Sequence, residues 1–257
     1  MSDSTPSELG AWREALVASL DGRWFRDVEV LAETPSTQDE VRSRGTGWIV
    51  AARHQTRGRG RLGRTWTQSP AMGVAMSFGI DLTFVEPSRL SLVAGLASCT
   101  TIESCGRVEG LVGLRWPNDV VRRSTGEKLS GILVEADRSL AIVGIGINVT
   151  HRPGDFGPDV HATSIGAFGS SCTPIEVMTT LVTRLASLLD ANASTLLASW
   201  SERDVLIGHH HRFRHDGREY SGLVEGIDPT SSIRIRTDDG PVRLPCLTTR
   251  LLSKEDV

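Results

Sequence analysis

The chain has 257 residues, 39% of them hydrophobic and 23% charged, with a formal net charge of -3. This is an ordinary globular composition, long enough to bury a sizeable core, and its charge exerts no global pull on nucleic acid. No apolar run approaches the length of about 18 residues that a membrane span needs, and the polar, acidic start MSDSTPSELG is not a signal peptide.

The four cysteines, Cys99, Cys105, Cys172 and Cys246, lack CxxC spacing and are expected to be reduced thiols of a cytoplasmic protein. Of the 28 basic residues only Lys128 and Lys254 are lysines. Lys254 stands in the polar tail, so Lys128 is a compact point charge in a body that otherwise uses arginine.

An apolar-periodic stretch from Glu8 to Leu20 predicts a short helix ending at Asp21-Gly22. Val28 to Leu31 predicts a strand. Ser36 or Thr37 is an N-cap candidate for a helix that runs to about Arg44. Trp48 to Ala52 is a short apolar run expected to be a buried strand. It delivers the chain into Arg53 to Trp66, RHQTRGRGRLGRTW, where five arginines alternate with three glycines. No acidic residue occurs between Glu40 and Asp81. Each glycine would cost a helix about 1 kcal/mol against alanine, so the stretch predicts a loop. Converging backbone N–H groups and planar guanidinium forks suit that loop to a phosphate or carboxylate.

Gly73 to Ile80 predicts the next strand, and Pro87 to Cys105 a helix with Leu90, Val93, Ala94, Ala97 and Ile102 as its apolar stripe. Leu111 to Arg115 predicts a strand that breaks at Trp116-Pro117-Asn118-Asp119, where proline stops pairing and Asn-Asp favours a turn. Lys128 to Glu135 and Leu140 to Val149 predict a hairpin, which would bring Lys128, the WPND turn and Asn148 together. Residues 151–172 read as a Gly/Pro-rich surface loop, Ile175 to Leu189 as an amphipathic helix and Leu196 to Trp200 as a second. His209-His210-His211 is a poor metal candidate, because consecutive side chains on a strand point in alternate directions. From about Arg212 short alternating strands with tight-turn signals predict a small all-β barrel.

Taken in order, Ser36-Thr37-Gln38, Gln55 with Gly58-Arg59-Gly60-Arg61, Trp66, Trp116-Pro117-Asn118-Asp119, Lys128 with Gly131, Gly144-Ile145-Gly146-Ile147-Asn148 and Gly222…Gly226-Ile227-Asp228 resemble the biotin protein ligases. These enzymes attach biotin to the carrier protein of biotin-dependent carboxylases. The resemblance covers residues 30 to 253. It implies an α+β fold: a mixed β-sheet flanked by helices, as in class II aminoacyl-tRNA synthetases, over 1–208, and a C-terminal SH3-like β-barrel over 209–257. No winged-helix DNA-binding segment is recognisable, so the resemblance is to the monofunctional type without a repressor role.

By the same resemblance, Lys128 and Arg61 are the expected catalytic residues. Biotin is expected to meet Ser36, Thr37, Gln38, Gln55, Gly58, Arg59, Gly60, Arg61, Trp116, Lys128 and Gly131. ATP and the adenylate are expected to meet Arg64, Trp66, Asn118, Asp119, Lys128 and Asn148, with Asp119 assigned to magnesium-bound phosphates. Biotin, ATP and Mg²⁺ are the implied small molecules. The implied partner is the carrier protein of an acyl-CoA carboxylase, with no DNA or membrane and at most a weak homodimer. The chain departs from the family pattern at Arg115, where many relatives carry lysine, at Gln38, where asparagine is commoner, and at Leu62, which interrupts the arginine run. Three other readings compete: a lipoate or octanoyl ligase on the same catalytic fold, a nucleic-acid-binding module built on the RGRGR stretch, and a non-catalytic biotin-binding protein. The Arg/Gly loop and the C-terminal strands favour biotin over lipoate. Net charge argues against the second, and Lys128 against the third.

Overall fold

The computed structural model describes residues 6–67, 71–157, 160–246 and 248–252; Lys254 lies outside them. Helix α1 (Pro6–Val17) leads to β1 (Asp27–Thr34), α2 (Thr37–Arg44), β2 (Trp48–Gln55) and β3 (Gly73–Asp81). Helix α3 (Pro87–Gly106) is followed by β4 (Val112–Arg115), β5 (Asp119–Arg122), β6 (Lys128–Asp137) and β7 (Leu140–Asn148). Helices α4 (Pro174–Leu189) and α5 (Ala193–Arg203) precede five further strands: β8 (His210–His215), β9 (Arg218–Asp228), β10 (Ser232–Thr237), β11 (Gly240–Pro245) and β12 (Arg250–Leu251).

The first seven strands form one sheet in the order β1-β2-β3-β7-β6-β5-β4. Strands β1 and β2 are parallel, joined across α2, and every other ladder is antiparallel. This is the mixed, helix-flanked sheet that the sequence predicts. Alternation assigns its two faces. On β2, Ile49 and Ala51 enter the main core, while Val50 joins Val41 of α2 and Ile142 of β7 on the other side. Helices α3 and α4 cover the main-core side.

The same alternation decides where the site lies. On β7, Ala141, Val143, Ile145 and Ile147 go to the core, which leaves Gly144, Gly146 and Asn148 on the α2 side. Their register partners there are Gly131 and Leu133 on β6 and Gly73, Ala75 and Ser77 on β3. A row of side chains this small leaves a groove in the sheet beside α2.

Three expectations change. Strand β2 extends to Gln55, so Arg53 belongs to the strand and not to the loop: it is buried, pairs with Glu8 at 3.3 Å and lies over Trp12. Residues 151–172 are not only surface loop, because Ala162 bridges to Lys128 and two short 3-10 turns form at Pro153–Asp155 and Ile165–Phe168. The C-terminal strands form an open antiparallel sheet, β11-β10-β9-β8-β12, and not a closed barrel. Among the described residues its last strand is only two residues long, too short to pair along β11 and close it.

The C-terminal sheet shares the main core. Phe213 is fully buried and meets the buried Trp116 edge-on, with ring centroids 6.2 Å apart. Phe213→Ala is expected to cost about 3–5 kcal/mol, measured as a lower urea midpoint with the folded baseline intact. A loss below about 1 kcal/mol would mean that the two sheets do not stabilise each other.

Candidate active site

The groove is closed at one end by the start of α2. Ser36 occupies the N-cap position with extended backbone, but its hydroxyl does not cap the helix. The Thr37 N–H instead donates to the side-chain carbonyl of Gln55 at 2.9 Å, and the Thr37 hydroxyl reaches the same oxygen at 3.0 Å. Thr37 Oγ1 and Ser77 Oγ are 2.8 Å apart. Ser36, Thr37 and Gln38 are all buried. Gln38 donates to the Leu133 carbonyl at 3.1 Å and lies over Gly144, where a Cβ would stand 3.1 Å from its amide. This is a compact set of donors and acceptors beside an apolar floor. Ser77 escapes motif reading, although a lone hydroxyl in the apolar run GVAMSFGI was its visible signal.

At the other end stands Lys128. Its ammonium is 2.6 Å from Asp119 Oδ1, and the second carboxylate oxygen takes Arg115 at 3.0 Å. Burial favours the protonated acid, but the charges of Lys128 and Arg115 outweigh it and hold Asp119 below the ordinary carboxylate range. Arg61 also faces this charge. It is largely desolvated, which pushes its pKa down, and it makes no ion pair with a described residue. The backbone of Lys128 is fixed by the 161–163 segment: its N–H donates to the His161 carbonyl, and its carbonyl accepts from Thr163 N–H, each at 3.0 Å. Asn148, also buried, donates to the Thr163 carbonyl at 3.0 Å and to the Lys128 carbonyl at 3.3 Å.

The Arg/Gly segment folds back on itself. Gly60 N–H donates to Arg64 O at 2.7 Å and Trp66 N–H to Gly58 O at 2.9 Å. Gly58 is required here, since a Cβ would lie 2.4 Å from the Trp66 carbonyl. The turn places Trp66 flat in the groove: a Cβ on Gly146 would stand 2.4 Å from the indole, and one on Gly131 would stand 3.0 Å from both the indole and Lys128 Nζ. Lys128 Nζ is 5.5 Å from the Trp66 ring centre. Beneath the loop is a cavity of about 630 Å³ lined by residues 56–61, 63–65, Leu133 and Glu135. The Arg59 guanidinium does not face this space freely but grips Asp39 and Glu135. Arg57 and Arg64 make no ion pair with a described residue and are exposed.

A second cavity, of about 480 Å³, lies between Glu127, His151, Phe156, Val160 and Thr163. His151 is buried, stacks on Phe156 at 5.1 Å and has an unsatisfied Nδ1 among the described residues. Burial pushes its pKa down, against the charge of Asp155. Nothing in the spacing of residues 151–163 marks these as site residues.

With this geometry in place, comparisons with known proteins are decisive. A profile of the Biotin/lipoate A/B protein ligase family matches residues 30–150. Over 239 residues the chain is 31% identical to the biotin–[acetyl-CoA-carboxylase] ligase of Mycobacterium tuberculosis, covering 87% of each chain. The chain belongs to the biotin protein ligase family. It is also 30% identical to the biotin–[acetyl-CoA-carboxylase] ligase of Paracoccus denitrificans, over 84% of this chain and 97% of that protein. The structure superposes on the biotin protein ligase of Aquifex aeolicus solved with biotin and ATP, with TM-score 0.79 at 26% identity, covering 90% of this chain and all of the other.

Within this family fold, Thr37, Gln38, Gln55, Gly131 and Trp66 border the groove, and Lys128 and Asp119 stand at its charged end. Two of the residues expected to meet a ligand have partners within the protein. Trp116 donates its indole N–H to Cys246 Sγ at 3.1 Å and packs on Phe213 of the C-terminal sheet. Asn118 donates to the Ile132 carbonyl at 2.8 Å and accepts from the Ile132 N–H on its own backbone, locking the β4–β5 turn onto β6.

A carboxylate with a depressed folded pKa stabilises the fold above its unfolded value of about 3.9, and that contribution is lost as pH falls through the lower folded value. Asp119→Asn, which also leaves two cations facing each other, is expected to cost about 1–3 kcal/mol at pH 7. Urea unfolding at decreasing pH should show the deficit shrinking below about pH 4. An equal deficit at every pH would sink the assignment.

Proposed function

We propose that the chain is an ATP-dependent ligase that converts biotin to biotinyl-5'-AMP and passes it to a lysine of the biotin carboxyl carrier protein of an acetyl-CoA or related acyl-CoA carboxylase. The observation that carries this reading is the placement of Lys128. One strongly hydrated cation is held at the charged end of the glycine-floored groove, 5.5 Å from the Trp66 ring centre and fastened through its backbone by the 161–163 segment, in a body that otherwise uses arginine.

The groove supplies the biotin site. Gln55, Thr37, Ser77, Ser36 and Gln38 offer fixed donors and acceptors for a buried urea, where an unpaired group would cost about 1–3 kcal/mol. The glycine floor accepts an apolar ring and chain once Trp66, which lies against Gly146 and Gly131, moves off it. The acid's carboxylate is thereby directed toward Lys128. A carboxylate oxygen attacks the α-phosphorus of ATP, the bond to the β-phosphate bridging oxygen breaks, and pyrophosphate leaves. Lys128 bridges the approaching carboxylate and α-phosphate, and Arg61, already desolvated, gains an anion partner. The backbone N–H groups of Gly58 and Arg59 and the side chain of Arg64 hold the remaining phosphate oxygens. The second cavity takes the adenine, beside the Phe156 ring and Thr163, whose carbonyl Asn148 holds. In the second step the carrier lysine, as a free amine, attacks the mixed anhydride carbonyl; AMP leaves and the amine's extra proton goes to solvent. The folded loop excludes water from the anhydride between steps.

Asp119 does not fit a resident metal site in this arrangement, because Lys128 and Arg115 occupy its two carboxylate oxygens. Among the described residues no group of three His, Cys, Asp or Glu side chains is placed to hold a metal. Magnesium belongs to the nucleotide's own phosphates in this reading, and no step above is routed through it.

The test is exchange of labelled pyrophosphate into ATP with biotin, lipoate or octanoate as the acid. Exchange with biotin alone is expected, and exchange with lipoate instead would move the chain to the lipoate branch of the family. Lys128→Ala is expected to lower biotin-dependent exchange by about 10²-fold or more while circular dichroism stays that of the folded protein. Wild-type exchange in that variant would remove Lys128 from the mechanism.

A further inference from the structure

The Arg/Gly loop contains one arginine whose charge is already taken. Arg59 donates from one guanidinium nitrogen to both carboxylate oxygens of Asp39, at 2.7 and 2.9 Å, and from the other to Glu135 at 3.3 Å. The two carboxylates come from different elements, Asp39 from the first turn of α2 and Glu135 from β6. Arg42 of α2 holds the same Glu135 oxygen at 2.7 Å. The three side chains thus tie the loop to both walls of the groove. Arg59 sits in the middle of the folded segment, flanked by glycines and bridged to Thr65, so the tie acts on the whole loop rather than on one end.

We infer that Asp39 and Glu135 form an electrostatic latch that holds the Arg/Gly loop closed through Arg59, which makes Asp39 a positioning residue for the ligase reaction. Arg59 is then the loop's fastener and not one of its phosphate ligands; that work falls to Arg61, Arg64 and the backbone. The strength of the latch suits the task. The side chains are partly exposed, at 37% for Arg59, 54% for Asp39 and 32% for Glu135. Exposed ion pairs are weak and screened by salt. A weak fastener biases the loop toward closure, yet opens often enough to admit acid and nucleotide and to let the carrier lysine reach the anhydride. The functional half of this inference rests on the loop being the cover of the acyl-adenylate; the structural half does not.

The experiment has two arms. In the first, the free protein is treated with limiting trypsin, and cleavage after Arg57, Arg59, Arg61 and Arg64 is followed by mass spectrometry. Asp39→Asn is expected to speed cleavage in this segment by about threefold to tenfold at unchanged Tm. About 0.5 M salt should speed cleavage of the wild type comparably while adding little to the variant, and Asp39→Glu should restore protection. Unchanged cleavage in Asp39→Asn overturns the latch. In the second arm, release of labelled biotinyl-AMP from the enzyme is timed. Asp39→Asn is expected to speed release by a similar factor and to raise KM for biotin with kcat little changed. Faster cleavage together with unchanged release overturns the positioning role. If the wild type makes no adenylate but cleavage responds as expected, the latch stands and the ligase reading fails.

Discussion

The site depends on a place where the sheet has almost no side chains. Strands β7, β6 and β3 present Gly144, Gly146, Gly131, Gly73 and Ala75 to one face. The steric margin is small: a single methyl at Gly146 would stand 2.4 Å from the Trp66 indole. The other face of the same strands carries Val143, Ile145, Ile147, Met76 and Phe78 into the main core. One side of the sheet is therefore filled to make the fold stable, and the other is emptied to make a groove. A strand pays for such glycines in backbone entropy and lost packing, and the packed opposite face offsets that cost.

Charge is arranged around the groove with similar economy. The floor is apolar, the buried side chains Ser36, Thr37 and Gln38 at the start of α2 are polar but uncharged, and the far end gathers Lys128, Arg115 and Arg61 around the carboxylate of Asp119. That carboxylate holds Lys128 in place without a bound anion, so the cation is organised before any substrate arrives. The five arginines of the RHQTRGRGRLGRTW run divide their labour. Arg53 secures α1 through Glu8 and Trp12, Arg59 grips Asp39 and Glu135, and Arg61 is desolvated beside Asp119. Arg57 and Arg64 are exposed, so a run that looks uniform is four kinds of environment.

Much of this was legible in the sequence. The mixed sheet, the helices that flank it, the Arg/Gly loop, the exceptional lysine and the ordered motifs of the ligase family all follow from local pattern, and the neighbours Lys128 and Asn148 follow from the β6–β7 hairpin. Hairpin pairing is a local property, and so are glycine content and the scarcity of one residue type. Less legible was anything set by contacts between distant segments. The Gln55 side chain, not Ser36, satisfies the first N–H of α2, because β2 runs alongside the helix start. Trp116 turns to Cys246, 130 residues away. The 161–163 segment fastens Lys128 although its own sequence reads as loop.

By itself, then, the sequence determined the fold class, the family and the identity of the residues that carry charge and flexibility, because alternation, turn chemistry and motif order act over a few residues at a time. Only the tertiary structure decided which arginines are free to meet an anion, which tryptophan lies in the groove and which supports the core, and whether the C-terminal strands close or stay open. Those outcomes depend on where distant side chains compete for the same partner. A guanidinium on a loop binds a phosphate or a carboxylate with equal chemical readiness, and only the placement of Asp39, Glu135 and Asp119 settles which one it has.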